Sequence, residues 1–168
     1  MFEPVSIDPI EEAGRQWRRR WGTDSVPPLA AVASIVRIHE ILVARINDAL
    51  APFELTMARY EALMLLFLSR RGRLSLAKLA ARLQAHPTSA ADLAEALEQR
   101  GYATRAPDRH DPRTTLVTIT ERGRRTAAEA TAVLNKQQFG TAPLRAQELV
   151  ALTEILRRMR AGAGDAAA

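Results

Sequence analysis

The sequence predicts a mainly α-helical protein carrying one small β-hairpin, and three observations predict it. Aromatic residues make up only 5% of the chain while apolar residues reach 47%, so the core must come from Leu, Ala, Val and Ile, which favours helices over a β-sandwich. Two short amphipathic stretches, residues 76–83 and 87–100, are separated by a tight turn through Gln84, Ala85 and His86. Two stretches rich in β-formers then follow at once, residues 102–105 and 115–119, around a polar loop. Helix, turn, helix and hairpin in that order describe a winged helix-turn-helix. At 168 residues the chain suits one such domain with helical additions.

The elements can be justified in chain order. Asp8-Pro9 followed by Glu11 and Glu12 is a helix start: a capping side chain, a first-turn proline and acids facing the helix dipole. Ile10, Ala13, Trp17 and Trp21 recur at helical spacing, with Arg18, Arg19 and Arg20 on the solvated side. Gly22 and the segment TDSVPP end this helix. A longer helix is expected from Leu29 to Ala51. Val32, Val36, His39, Val43, Ile46 and Leu50 form one apolar stripe, and Ile35, Ile38, Leu42 and Ala49 a second. Two apolar faces on one helix imply packing on its own domain and on a second subunit. Pro52 stops it, and a third helix starts near Thr56 with Tyr60, Leu63, Met64 and Phe67 inward.

Ser75 caps the helix LAKLAARL, which buries Leu76, Leu79, Ala80 and Leu83. Pro87 opens the next helix, which buries Ala90, Leu93, Ala94 and Leu97 and stops at Gly101. The hairpin loop, APDRHDPRT, carries Arg109, His110 and Arg113. Thr120-Glu121 opens an Ala-rich helix to about Gln138, and Thr141-Ala-Pro143 is expected to start the last one. Leu149, Leu152, Leu156 and Met159 repeat along that helix before a frayed tail. The organisation expected is residues 1–52 for dimerisation and ligand helices, 53–122 for the winged domain, 123–161 for further dimerisation helices and 162–168 for the tail.

Several function classes are excluded. With no cysteine there is no disulfide, thiolate zinc site or thiol redox sensor. No Gly-x-Ser-x-Gly elbow, Gly-rich phosphate loop or His-x-x-x-His pair occurs, and the three histidines lie far apart. No catalytic residue, metal site or cofactor is therefore expected. The opening residues lack a secretory pattern, and no stretch approaches the roughly 18 apolar residues of a membrane span. The bacterial cytoplasm is the expected location. Net charge is +5, but residues 70–125 hold twelve Lys/Arg against six Asp/Glu, which leaves that stretch at +6 and the remainder at −1. A basic middle points to phosphate as partner; a merely solvated surface is the other reading.

LAKLAARL, PTSAADLAEALEQRGY, RAPDRHDPRTTLVTIT and the ERG that follows resemble the MarR family of bacterial transcription regulators, over residues 55–126. The resemblance implies a triangular dimer with helices interlocked across a two-fold axis. Each subunit would offer one winged helix-turn-helix to an inverted repeat, with half-sites about 10 base pairs apart or a multiple of that. It implies a repressor in double-stranded DNA's major groove, with His86, Thr88, Ser89 and Asp92 facing the bases. Asp92 stands where the family more often has a basic or amide residue. It either accepts from a cytosine amino group or pairs with a nearby arginine. In the wing, Asp111-Pro112-Arg113 resembles the family's Asp-Arg-Arg tip. Arg113 would enter the minor groove, and Arg109 or His110 would stand in for the arginine that Pro112 replaces. Lys78 and Arg82 are phosphate candidates. A winged helix that binds protein instead of DNA is the competing function.

The Trp-bearing first helix resembles a subgroup responsive to urate or other small anions. Trp17 and Glu61 match its pocket in character, while Leu68 falls where one pocket arginine would be expected. The effector expected is accordingly a small anionic or aromatic ligand, lodged between Trp17, His39, Tyr60 and Met64, that changes the spacing of the two recognition helices. Trp17 and His39 have a competing reading as ordinary core side chains. A hundredfold change in affinity requires a preference of about 2.7 kcal/mol for one spacing.

Overall fold

A computed structural model describes residues 7–165 and divides into two units, one up to Arg45 and one from Ile46 onward. Residues 1–6, which include the start of the segment read for a secretory pattern, and residues 166–168, the end of the expected tail, lie outside the described residues.

The first unit holds α1 (Pro9–Trp21) and most of α2 (Val26–Leu50). Asp8 caps α1 as expected, its Oδ1 accepting from the Ile10 amide at 2.9 Å, and Gly22 ends it at φ 86°. Glu12 accepts from both Arg15 and Gln16, so the solvated side is tied along the helix. That pairing holds the Glu12 carboxyl below the usual carboxylate range, the Gln16 bond first and Arg15 second. Gly14 is the buried position of α1, and a Cβ there would stand 3.3 Å from Val26 Cγ1. The small side chain lets the start of α2 approach closely. The turn after α1 is shorter than the sequence implied, because Pro27 and Pro28 fit the first turn of α2, where no intrahelical N–H is needed.

The second unit is built around a core of Leu50, Leu55, Leu63, Leu66, Leu79, Leu97, Val117 and Leu134, all essentially inaccessible to solvent. The helix α3 (Met57–Phe67) runs through it, capped by Thr56, whose Oγ1 accepts from the Arg59 amide. Around α3 lie α4 (Leu76–Leu83), α5 (Pro87–Gln99) and α6 (Glu121–Lys136). The hairpin consists of β2 (Ala103–Pro107) and β3 (Thr115–Ile119), paired antiparallel with Thr104 opposite Thr118. A third strand, β1 (Arg73–Ser75), was not expected; it joins the other edge of β3, giving the order β1-β3-β2. Gly123 at the start of α6 is needed for close approach, since a Cβ there would overlap the Tyr102 carbonyl oxygen.

The last helix, α7, spans Ala146–Gly162 instead of starting near Thr141. Its N-terminus is set by Glu148, which accepts from the Arg145 amide at 2.8 Å and also from the Arg145 guanidinium. None of its residues is buried, and Val150, Leu152, Ile155 and Met159 are exposed.

Candidate nucleic-acid interface

The interface starts from how two helix ends are made. Ser75 Oγ accepts from the Lys78 amide and starts α4, and Gln84 at φ 51° ends it. His86 then caps α5, its Nδ1 accepting from the Thr88 amide at 3.3 Å with Thr88 Oγ1 also 3.2 Å away. An Nδ1 that accepts is unprotonated, so the proton of the neutral ring sits on Nε2. Pro87 supplies the first turn. Ala90, Ala94 and Leu97 turn into the core, which leaves Thr88, Ser89 and Asp92 exposed along with His86. Among the described residues Asp92 has no ion pair, so its carboxylate stands free rather than tied to an arginine.

The wing tip is folded by its own acids. Asp111 Oδ1 accepts from the Arg113 amide at 3.1 Å and Oδ2 from Thr114 Oγ1 at 2.9 Å. Asp108 Oδ1 accepts from the His110 amide, and the Asp108 amide donates to the Thr114 carbonyl at 2.8 Å. Asp111 thus orients Arg113 through its backbone rather than its guanidinium. Arg109, His110 and Arg113 are all exposed, and none of their side chains has a carboxylate partner among the described residues. Lys78 is exposed on α4.

One pair that sequence reasoning missed joins these two parts. Glu98, on α5, accepts from the Arg105 amide and from Arg105 Nε of β2, both at 2.8 Å. These bonds, the side-chain one first, hold the Glu98 carboxyl below its usual range. Arg105 also lies 3.7 Å from Glu95. The pairing crosses a helix and a strand, so no helical spacing announces it. Tyr102 anchors the same junction, its hydroxyl donating to the Phe53 carbonyl while the Arg122 guanidinium sits 5.3 Å over its ring.

The residues expected to meet an effector fall in both units. In the first, Trp17 is half-buried with its ring 4.2 Å from that of Trp21, and His39 is exposed rather than buried on its stripe. In the second, the buried Tyr60 has its hydroxyl 2.9 Å from Thr131 Oγ1, and Thr131 Oγ1 in turn lies 3.5 Å from Met64 Sδ. Glu61 is exposed. Among the described residues no cluster of His, Asp or Glu is placed to hold a metal, and no helix is long and apolar enough to cross a membrane.

Comparison with known proteins gives concordant results. A model of the MarR family matches residues 55–115. A MarR family transcriptional regulator from Streptomyces coelicolor is 38% identical, with 84% of this chain and 98% of that one covered at a TM-score of 0.77. AbsC, also a MarR family transcriptional regulator from Streptomyces coelicolor, is 22% identical over 88% and 99% of the two chains, with a TM-score of 0.72. MepR of S. aureus, solved as a DNA complex, is 19% identical over 78% and 96%, with a TM-score of 0.71. No significant match occurs among curated proteins.

Proposed function

Because the chain belongs to the MarR family of transcriptional regulators, we propose that it acts as a homodimer that represses from an inverted-repeat operator and is released by a small anionic or aromatic ligand. The observation that carries the DNA half is the free N-terminal face of α5 beside a wing tip whose cations have no carboxylate partner among the described residues. Thr88 and Ser89 hydroxyls suit phosphates or base edges, His86 offers Nε2–H, and Asp92 accepts from a cytosine amino group. Arg113 takes the minor groove, flanked by Arg109 and His110, and Lys78 takes a phosphate. The likeness to MepR supports a fold able to sit on DNA.

Dimerisation is supported by the apolar side chains that the subunit leaves in water: Val32, Val36 and Ile38 on α2, and Val150, Leu152, Ile155 and Met159 on α7. Each square ångström of these covered by a second copy contributes about 25 cal/mol. Candidate contacts for the ligand half are Trp17 and His39 in the first unit, and Tyr60, Glu61 and Met64 in the second. Quenching of Trp fluorescence by aromatic carboxylates, compared between W17F and W21F, measures Trp17's share directly. A location in the cytoplasm and the absence of a catalytic role belong to the same proposal.

The test is selection of bound sequences from random duplex DNA, followed by titration at two salt concentrations. An inverted repeat is expected, with log affinity falling by about 0.9 per neutralised phosphate for each tenfold rise in salt. Recovery of no sequence, with binding no stronger than a basic surface gives, would favour the protein-binding winged helix. The acidic Asp92 and the missing wing arginine at Pro112 are what favour that reading.

A further inference from the structure

The cations expected at the DNA are not the only free ones in the second unit. A cavity of about 540 Å³ opens between the α3–β1 turn, α4 and the base of the wing. Its lining includes Arg70, Arg71, Arg73, Lys78 and Arg82, against the single carboxylate of Asp108. All five cations are exposed, and among the described residues none has an acidic partner. Asp108 is already engaged by the His110 amide. A second depression of about 520 Å³ adjoins the first, sharing Arg73, Asp108 and Leu116 with it and reaching Arg109 and His110. The two form one basic track from α4 to the wing.

Leaving five like charges this close without counter-charges costs self-repulsion, which an anion in the track relieves. The track's shape argues for an extended anion. Its cations come from a turn, a strand and a helix in succession. Among the described residues no charged side chain is buried, whereas a dedicated site for a small anion would converge on one. Both ends of the track also border residues already assigned to DNA, Lys78 at one and Arg109 with His110 at the other.

We propose that this track seats the sugar–phosphate backbone of the DNA beside the base-read half-site, with Arg70, Arg71 and Arg73 as phosphate contacts that carry no sequence information. The inference rests on the DNA-binding function proposed above and adds a second, sequence-blind part to it. Phosphate contacts fix register and orientation, and they weaken or strengthen selected and scrambled duplexes alike.

The test compares the wild-type protein with R70Q/R71Q/R73Q, and with R82Q as a single change, on the selected repeat and on a scrambled duplex. These side chains lie outside the core, and thermal melting checks that each variant is folded. The triple variant is expected to lose at least roughly a hundredfold in affinity at moderate salt, equally on both duplexes, with a salt slope shallower by about 5.4 because each of the two subunits loses three phosphate contacts. R82Q is expected to flatten the slope by about 1.8, one contact from each subunit. The sequence selected by the triple variant should be unchanged. An unaltered slope, or a loss confined to the selected repeat, would overturn the proposal while leaving the regulator function standing. A rise in wild-type melting temperature with millimolar pyrophosphate, absent in the triple variant and with unaltered slope, would overturn it in favour of a free phosphorylated ligand. If the wild-type protein binds no sequence specifically, the regulator function itself fails, and this inference with it.

Discussion

The winged region and the last helix are both rich in Leu and Ala, yet they use their apolar residues in opposite ways. In the winged region, Leu63, Leu66, Leu79, Leu97 and Val117 are fully buried by their own chain. In α7 no residue is buried, and Val150, Leu152, Ile155 and Met159 remain in water. What α7 does satisfy internally is its polar side. Arg145 pairs with Glu148 and Arg157 with Glu154, one turn apart, which draws both carboxyls below their usual range. Such exposed pairs add little to a helix, and a helix of 17 residues is marginal by itself. One region is complete as a single chain; the other requires something to cover it. Under the proposed function, the contrast separates the part that would read DNA from the part that would set how many copies read it.

The largest effect expected is at the centre of the complete region. Leu97→Ala, on the inner face of α5, should cost about 2–5 kcal/mol in denaturant unfolding, because it removes a fully buried side chain from a core that cannot collapse around the gap. The loss should be the same at every protein concentration. A loss that vanished at high concentration would mean that this core, too, is completed by a partner.

Next comes the incomplete region. Leu152→Glu with Ile155→Glu places two charges in the apolar face of α7 without disturbing any buried residue. Sedimentation should show monomer where the wild type shows dimer, and affinity for the inverted repeat should fall about a hundredfold, equivalent to about 2.7 kcal/mol, as two linked contacts become one. The melting of the winged region should change little. A dimer that survived the pair of charges would move the interface away from α7.

The same contrast explains how much could be read from residues alone. The caps Asp8, Ser75 and Thr120, the turn ended by Pro87 and the polar wing loop are local signals, and the helices and hairpin stand where they point. The strand β1 was invisible because Arg73-Leu-Ser75 is too short for any period and is defined by partners more than forty positions on, such as Thr118 opposite Arg73. Thr141 and Pro143 resemble a helix start, but the Glu148 side chain on the Arg145 amide sets the true one four residues later. The exposed cations of the α3–β1 turn were legible as charge but not as a place. Only the fold brings Arg70 and Arg71 to the same concavity as Lys78 and Arg82.

The smallest effect expected tests what couples the two reading parts of the complete region. Glu98 and Arg105 fasten α5 to β2, and the bond holds the Glu98 carboxyl below its usual range. A lowered folded-state value means that the contribution is fully present above the ordinary carboxylate value near 4.5 and is lost as pH falls through the lower, folded one. DNA affinity should therefore owe no pH dependence to this pair between pH 6 and 8. Glu98→Gln removes the charge while keeping an acceptor for the Arg105 amide, and should lower the melting temperature slightly at neutral pH with no change near pH 3. The variant should also loosen the wing relative to α5, so wild-type and variant affinities should differ more for repeats whose flanks vary in minor-groove width than for the base-read core. Equal losses on all flanks would make the pair a brace for stability alone and leave the wing's aim to Asp111 and the sheet.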